Sequence, residues 1–264
     1  MSLSAPVVLA ITLAAFAALH VIGSKQGQRL SPRGRLAAGI ITALCCLPGA
    51  WFTLYYVHLL PEPPLLNQLR ALSFSEGFLA IFGLAAGIWR VLLPKLLKPV
   101  PTAVTAFILV IPFLKPIIRP LDRSQLKETW IGDACIQSSM VTCGPASVAS
   151  ILRHLGDREI RESDLAIAGW TSQSGTEAWH LARAVEAMGY DATFSAPKGL
   201  PPSEDLPAMI DTGSQMVGHF VAVLEIKGNQ ITFIDPLRGK EQTSISHFTA
   251  WYPLEPFCMS IRKR

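Results

Sequence analysis

Cys143 is the residue of this sequence that is best placed to act as a nucleophile. It lies in the stretch CIQSSMVTCGPASVASIL, directly before Gly144 and Pro145 and at the start of a helical pattern of apolar residues. Proline is favoured in the first turn of a helix, where its missing N–H would have no partner. The exposed N–H groups and the helix dipole there stabilise an anion, and hence a reactive thiolate. A buried structural cysteine is the alternative interpretation of the Cys-Gly-Pro run alone.

A thiolate nucleophile needs a general base, and the second half of the chain offers four histidines. His219 follows a glycine and opens the longest predicted strand, so we predict that it is the base; an ordinary histidine at a strand end is the alternative. The other three are expected to be structural. His154 lies three turns along the helix that begins at Cys143, His180 lies beside a tryptophan on another helix, and His247 lies in a predicted loop.

Asp235 is the candidate group for orienting the imidazole of His219. It ends the next predicted strand, sixteen residues further on, and a hairpin would return it to the end of the sheet where His219 begins. A strict two-residue turn at residues 228–229 would place the two side chains on opposite faces. The prediction therefore requires a three-residue turn or a β-bulge. An ordinary strand-ending aspartate is the alternative.

Gln137 is the candidate for a second oxyanion donor. Attack on an amide creates an oxyanion, to which the backbone N–H of Cys143 can donate one hydrogen bond. The side-chain amide of Gln137 would donate another if the intervening loop folds back. Taken alone, Gln137 could equally be a polar surface residue. Together the four candidates form a Gln–Cys–His–Asp set.

The elements that must position these residues follow from the pattern after residue 130. Helices are predicted from Cys143 to Gly156, over 159–168 and over 175–188. The strand-like segments come afterwards and are rich in β-branched and aromatic residues; they are DATFSA (191–196), LPAMID (206–211), HFVAVLEI (219–226), ITFID (231–235) and FCMSIR (257–262). Helices followed by an antiparallel sheet indicate an α+β domain.

The first part of the chain has the composition of a membrane protein. Residues 1–118 carry nine basic and two acidic residues, whereas residues 119–264 carry fourteen basic and seventeen acidic residues, for a net charge of +4. A bilayer is crossed by a helix of about 20 apolar residues. Four spans are predicted, over 3–22, 36–60, 77–94 and 99–118. The last contains several prolines and also fits an interfacial or re-entrant segment.

The number of spans decides the side of the soluble half. The basic loop over 25–35 is expected to be cytoplasmic, because positively charged loops remain on that side. Four spans then place residues 119–264 outside the cytoplasm. Three spans place them inside, which the cations Arg119, Arg123 and Lys127 favour. We predict four spans in a bacterial inner membrane, with the soluble half extracytoplasmic.

Three blocks that contain the candidate residues carry a family resemblance. QSSMVTCGPASVASILRHLG, GHFVAVLEI and FIDP resemble the bacteriocin-processing, double-glycine leader peptidases, a papain-like family, over about residues 130–264. The resemblance implies a papain-like α+β fold with an antiparallel sheet. It implies Cys143 as nucleophile, His219 as general base and acid, Asp235 as its orienting partner and Gln137 in the oxyanion hole.

The sequence also departs from that family. In familiar members the peptidase precedes a transporter core and an ATPase, whereas here the apolar segments come first. The 264 residues contain no GxxxxGK[ST] phosphate loop, so no ATP-driven exporter is predicted within them. We therefore predict a membrane-spanning region (1–118), a linker (119–130) and a papain-like cysteine peptidase domain (131–264).

The predicted function is hydrolysis of peptide bonds, in the maturation of exported peptides. The expected partners are a peptide or protein substrate, the lipid bilayer and a separate exporter. The alternative is a catalytically silent domain that binds peptides for such an exporter. No cofactor, metal or nucleic acid is expected, since no Cys/His group has zinc spacing and the cations flank apolar runs. Cys135 is expected to be a packed thiol; a disulfide with Cys143 that blocks catalysis is a further hypothesis.

Overall fold

The computed structural model of the chain describes residues 3–57, 62–213 and 218–264. The helices are α1 (Ala5–Arg29), α2 (Pro32–Cys45), α3 (Leu47–Tyr56), α4 (Pro64–Ala71), α5 (Ile81–Leu92), α6 (Val100–Ile118), α7 (Cys143–His154), α8 (Glu162–Ala168), α9 (Ala178–Ala187) and α10 (Ile245–Trp251). The strands are β1 (Thr129–Ile131), β2 (Ala134–Ile136), β3 (Tyr190–Ser195), β4 (Ala208–Gly213), β5 (Gly218–Lys227), β6 (Gln230–Asp235), β7 (Gly239–Ser244) and β8 (Leu254–Lys263).

These elements form two compact units. The helical unit comprises the described residues of 3–62 and 73–117, and the mixed unit comprises residues 63–72 and the described residues of 118–264. The predicted division into 1–118, 119–130 and 131–264 differs from this grouping, since α4 belongs to the mixed unit and β1 begins inside the predicted linker. That division stays a prediction.

Four stretches of the helical unit are long and apolar enough to cross a membrane: Ala5–Arg29, Pro32–Tyr56, Ser75–Leu92 and Lys95–Ile118. They coincide with the four predicted spans, and the expectation of about four apolar helices before the α+β domain is confirmed. The second stretch consists of two helices, α2 and α3, which meet at Cys46. Residues 58–60, where the sequence ended this span, lie outside the described part of the chain.

Glycines let α1 and α5 approach closely within the helical unit. A Cβ atom at Gly83 would lie 2.1 Å from the carbonyl oxygen of Phe16, and one at Gly87 would lie 2.3 Å from the carbonyl oxygen of His20. Apolar helices in a bilayer commonly pack through small residues that let their backbones approach closely. Lipid is as apolar as their side chains, so the hydrophobic effect does not drive their association, and van der Waals packing does. The four-residue spacing of the two glycines aligns them on one face of α5.

Substitution of Gly83 by valine is expected to destabilise the helical unit by at least about 2 kcal/mol, because the new side chain collides with rigid backbone. The midpoint of unfolding of the full chain in detergent measures this. Gly77 is the matched control, since a Cβ atom there meets nothing within 4 Å. Equal midpoints for Gly83→Val and Gly77→Val would contradict the close packing.

The mixed unit is built on a six-stranded antiparallel sheet with the order β3-β8-β4-β5-β6-β7. Helix α7 packs on β5 and β4, α9 packs on β3, and α10 packs on β6 and β7. On the face of α10 the core contains Val221, Val223, Phe233 and Phe248. A separate hairpin, β1 and β2, precedes α7. The α+β layout predicted from the sequence is confirmed.

Five of the described helices and strands were not predicted: the β1–β2 hairpin, α4, β7 and α10. Helix α4 lies between two apolar stretches, and β7 and α10 lie in a segment without strong apolar alternation. His247, which we placed in a loop, is instead an exposed residue of α10, so that prediction was wrong. The side chain of Ser244 caps this helix by accepting a hydrogen bond from the His247 N–H at 3.2 Å, a serine signal that the sequence analysis overlooked.

Candidate active site

Cys143 is the first residue of α7, and the sequence around it fixes this helix end against the sheet. A Cβ atom at Gly144 would lie 2.9 Å from the side chain of Leu181 and 3.3 Å from the ring of Phe220, so only glycine fits without displacement. The hydroxyl of Ser147 donates to the carbonyl oxygen of Phe220 at 3.0 Å. Phe220 follows the candidate base in the chain. These contacts hold the half-buried thiol-bearing end of α7 beside the start of β5.

The register of β5 and β6 brings the candidate base and its orienting group to one face. A two-residue turn at residues 228–229 joins the strands, and the pairing shifts by one position between Val223 and Glu225. Such a bulge reverses the alternation of every side chain beyond it. His219 and Asp235 therefore face the same side, as the sequence analysis required of a bulge or a longer turn.

Asp235 and His219 are joined directly. His219 Nε2 lies 2.9 Å from Asp235 Oδ1, which also accepts the N–H of Leu237 at 2.9 Å. The Tyr252 hydroxyl donates to the other oxygen, Oδ2, at 2.7 Å. Burial disfavours the ionised form of Asp235, but the hydrogen bonds from His219, Leu237 and Tyr252 outweigh it and hold the pKa of the carboxyl below its ordinary value.

The surroundings of His219 favour its protonated form. Burial lowers the pKa of the imidazole, but the hydrogen bond to Asp235 and the interaction with Cys143 outweigh it and raise the pKa to about 9. Because Nε2 is occupied by Asp235, Nδ1 is the ring nitrogen that remains for the thiol of Cys143. The arrangement is a thiol, an imidazole and a carboxylate in series.

Gln137 lies at the end of β2, beside the Asp235 segment. Its backbone N–H donates to the carbonyl oxygen of Pro236 at 2.9 Å. Its side-chain Nε2 donates to the carbonyl oxygen of Ser139 at 2.7 Å, and Oε1 accepts no hydrogen bond from the described residues. One amide hydrogen is thus committed to the loop that leads to Cys143, and the second stays available to another acceptor.

Glu162 organises that loop and was missed from the sequence. Its fully buried carboxylate accepts the backbone N–H of Ser138 at 2.9 Å and the hydroxyl of the same residue, and it is hydrogen-bonded to Thr142. Burial raises the pKa of Glu162 above its ordinary value, and these hydrogen bonds offset this only in part. The loop between Gln137 and Cys143 is therefore fastened at both ends to one carboxylate.

Removal of this carboxylate by Glu162→Ala is expected to lower the free energy of unfolding by about 3 kcal/mol, because buried donors lose a charged acceptor. Thermal unfolding measures it. Turnover of a peptide substrate should fall through kcat rather than KM, since a displaced loop misplaces catalytic groups, and Glu162→Gln should restore part of it. The exposed Glu159 provides the control. Equal losses in Glu159→Ala and Glu162→Ala would refute this role.

Cys135 is a buried free thiol of β2, and Cys143 is also free. Burial, then the charge of Glu162, raises the pKa of the Cys135 thiol far above its ordinary value, which makes it unreactive. Its backbone N–H donates to the hydroxyl of Ser150 at 2.9 Å. The structure describes the packed thiol that we expected, and the disulfide with Cys143 stays a hypothesis.

The remaining candidates lie elsewhere. His154 is exposed at the end of α7, and His180 is buried against the rings of Trp170 and Trp179.

Asp211 on β4 is a neighbour of the site that the sequence did not reveal. It accepts a hydrogen bond from the backbone N–H of His219, and burial, then the charge of Glu255, raises the pKa of its carboxyl to about 6.

Comparison with known proteins gives this domain its class. The sequence pattern of the Peptidase C39 family matches residues 133–255. The chain is 33% identical over 111 residues to the lactococcin-G-processing and transport ATP-binding protein LagD of Lactococcus lactis. It is 31% identical over 115 residues to an uncharacterised protein of Methanothermobacter marburgensis, of which it covers 79%. The chain belongs to the Peptidase C39 family, and the resemblance seen in the sequence is confirmed.

The matched region is a small part of LagD. The LagD match covers 40% of this chain and 16% of LagD, so LagD's own activity is not transferred as a whole. Among solved structures, the peptidase domain of Streptococcus ComA matches 49% of this chain with 21% identity and a TM-score of 0.42. A double-glycine motif protease from an AMS/PCAT transporter, in complex with the leader peptide, matches 53% of it with 19% identity and a TM-score of 0.41.

Proposed function

We propose that this chain is a membrane-anchored cysteine peptidase that hydrolyses peptide bonds and matures exported peptides. Cys143 is the nucleophile, His219 the general base and acid, Asp235 the group that orients His219, and Gln137 a donor to the oxyanion. The observation that carries the proposal is the His219 Nε2–Asp235 Oδ1 contact of 2.9 Å beside a cysteine at the first position of α7.

In the acylation step, the Cys143 sulfur attacks the carbonyl carbon of the scissile amide and a C–S bond forms. The negative charge that develops on the carbonyl oxygen is stabilised by the Cys143 backbone N–H and the free amide hydrogen of Gln137. The imidazolium of His219 gives its proton to the amide nitrogen, the C–N bond breaks, and a thioester remains. His219 then accepts a proton from water, whose oxygen attacks the thioester and restores the thiolate.

A thiol-reactive peptide electrophile tests the proposal. Selective modification of Cys143 that is lost in His219→Ala, together with turnover of a peptide, is the expected result. Peptide binding without turnover would instead support the alternative, a silent peptidase-like domain that captures peptides for a separate exporter. The complete set of acid, base and nucleophile favours the enzyme, because a binding module has no use for an oriented imidazole.

The pH dependence of hydrolysis is expected to follow the proton on His219. The leaving amine needs the imidazolium, so the rate should fall as the pH rises through about 9, the pKa of His219. Asp235→Asn should move this falling limb to lower pH, since the lost carboxylate contributes to raising that pKa. A pH profile with a peptide that has no titratable groups measures both. An unmoved limb in the variant would contradict the assignment.

We also propose that the mixed unit lies outside the cytoplasm after four spans. Helix α4 and residues 118–264 form one unit, so they lie on one side of the membrane. The stretches Ser75–Leu92 and Lys95–Ile118 separate them in the chain. Because an even number of crossings returns the chain to the same side, either both stretches cross the membrane or neither does. A three-span arrangement in which only the last stretch fails to cross would place α4 and the peptidase domain on opposite sides.

The basic segments select the orientation. Lys25, Arg29 and Arg33 lie where the first stretch gives way to the second, and Lys95 and Lys98 lie at the start of the fourth. Because positive charges favour the cytoplasmic side, we place these two junctions in the cytoplasm and the mixed unit outside it. A membrane-impermeant thiol reagent on right-side-out vesicles should label cysteines introduced into the mixed unit but not one at Lys98. The reverse labelling would overturn the orientation.

The proposed substrate class is supported by one relative. LagD is by its name a lactococcin-G-processing and transport protein. We take the substrate of this chain to be a peptide or protein that crosses the membrane through a separate exporter. An extracytoplasmic active site would meet this substrate after translocation.

A further inference from the structure

Helix α4 is hydrogen-bonded along one face to β3 and α9, the neighbouring elements of the mixed unit. The side-chain amide of Gln68 donates to the carbonyl oxygen of Ala192 at 3.0 Å and accepts the N–H of Phe194 at 3.3 Å. These two groups belong to the free edge of β3, the outermost strand of the sheet, so Gln68 occupies hydrogen-bonding positions that another strand would use. The guanidinium of Arg183 donates to the carbonyl oxygen of Arg70 at 2.8 Å, at the C-terminal end of α4.

The opposite face of α4 carries a row of exposed leucines. Leu65, Leu69 and Leu72 are 72%, 45% and 52% exposed, whereas Asn67 and Arg70 on the docked face are 2% and 1% exposed. The four-residue spacing places Leu65 and Leu69 one turn apart on the same side of α4, and Leu72 is the cap residue that directly follows the helix. We call these three leucines the stripe. The docked face thus buries the polar residues Asn67 and Arg70 beside Leu66 and Ala71. The outward face, which is polar in an ordinary surface helix, carries leucines instead.

The chain on either side of α4 holds this stripe near the bilayer. The candidate span Pro32–Tyr56 ends eight positions before Pro64, and Ser75–Leu92 begins four positions after Ala71. Four positions reach at most about 14 Å. A helix tied so closely to two spans, with leucines outward and no acidic residue in its sequence, has the composition of a helix that lies in the membrane interface.

We propose that α4 is an interfacial helix whose stripe of Leu65, Leu69 and Leu72 binds the surface of the lipid bilayer and seats the peptidase domain on it. The occupant of the stripe is lipid. Because the docked face of α4 is bonded to β3 and α9, the helix transmits this attachment to the sheet that carries His219. The consequence for catalysis, which rests on the proposed function, is a preference for peptides presented at the membrane surface.

Spin labelling of the full chain in proteoliposomes tests the lipid contact without any need for turnover. In a background of Cys45→Ala and Cys143→Ala the remaining three cysteines are buried. A single label at Leu69→Cys is compared with one at Ile167→Cys on α8, a residue of nearly equal exposure, 43%. Collision rates with oxygen, which concentrates in lipid, and with a water-soluble nickel chelate are measured at both.

The label at 69 is expected to collide with oxygen at least several-fold more, relative to nickel, than the label at 167. Dominance of nickel at both positions would overturn the proposal, since the stripe would then face water. A label at 69 that is immobile and shielded from both reagents would overturn it too, because a second copy or another protein would then cover the stripe.

A second readout addresses the consequence. The variant with Leu65, Leu69 and Leu72 each changed to glutamine should hydrolyse a soluble peptide at the wild-type rate but a lipid-anchored peptide several-fold more slowly. Equal losses on both peptides would refute the preference for surface substrates. If no variant or wild-type preparation hydrolyses either peptide, the proposed function fails, while the spin-label result still decides the lipid contact.

Discussion

Replacement of Cys143 by alanine is expected to lower kcat for peptide hydrolysis by at least about 10⁴-fold. Loss of a nucleophile has an effect of this size because the base and its orienting group cannot catalyse the reaction without it. The variant lacks the sulfur that must form the thioester, whereas His219 and Asp235 keep their mutual contact. Single-turnover hydrolysis with a purified full chain measures the effect. Thermal unfolding should be almost unchanged, because the thiol is only half-buried.

Cys135 supplies the matched control for this experiment. It lies eight residues before Cys143 and is fully buried and free. Cys135→Ala should keep kcat near the wild-type value and lose stability instead, by about 1 kcal/mol for a small cavity. Hydrolysis that survives in Cys143→Ala, or that disappears equally in both variants, would remove Cys143 from the mechanism.

The candidate site was readable from the sequence where its signals are local. Cys143 stands at a helix start that Gly144 and Pro145 mark, and His219 and Asp235 stand at strand ends that the alternation of apolar residues reveals. Local backbone preferences decide these positions, so the candidates could be named without knowledge of the tertiary structure. Their assignment to catalytic roles stays a proposal that the experiments above test.

The groups that hold the site in place were not readable. Glu162 and Tyr252 are nineteen and thirty-three residues away from Cys143 and His219 in the chain, and nothing near them in the sequence distinguishes a buried carboxylate or a phenol from a surface one. The bulge in β5 is similar. The parity of the two strands predicts a bulge or a longer turn, but the position of the shift between Val223 and Glu225 depends on pairing with β6.

Helix α4 escaped the sequence analysis for a different physical reason. It lies between two apolar stretches and contains three leucines, so its composition resembles the ends of the spans around it. Its place in the mixed unit depends on the hydrogen bonds of Gln68 and Arg183. Each of these two residues is more than a hundred positions away in the chain from its own partner. Long-range side-chain pairing of this kind leaves no periodic signal.

Asp235→Ala is expected to lower kcat by about 10³–10⁴-fold, because His219 would lose the acceptor that fixes its tautomer and orientation. Removal of the carboxylate also leaves the Tyr252 hydroxyl and the Leu237 N–H without their acceptor. Some loss of stability should therefore accompany the loss of rate. Rates normalised to the folded fraction, with KM measured separately, distinguish the two effects.

Asp235→Asn and Tyr252→Phe test how Asp235 supports the rate: by orienting the imidazole of His219 or by its negative charge. The amide oxygen of asparagine can still accept the N–H of His219 Nε2 and that of Leu237, while its NH₂ group can donate to the Tyr252 oxygen. Asp235→Asn should therefore recover most of the rate lost in Asp235→Ala.

Tyr252→Phe removes one hydrogen bond of 2.7 Å from the carboxylate and should lower kcat by about tenfold or less. If Asp235→Asn is as inactive as Asp235→Ala, the negative charge beside His219 matters more than its orientation. If Asp235→Ala keeps the wild-type rate, Asp235 is a structural residue and the proposed set is reduced to Cys143 and His219.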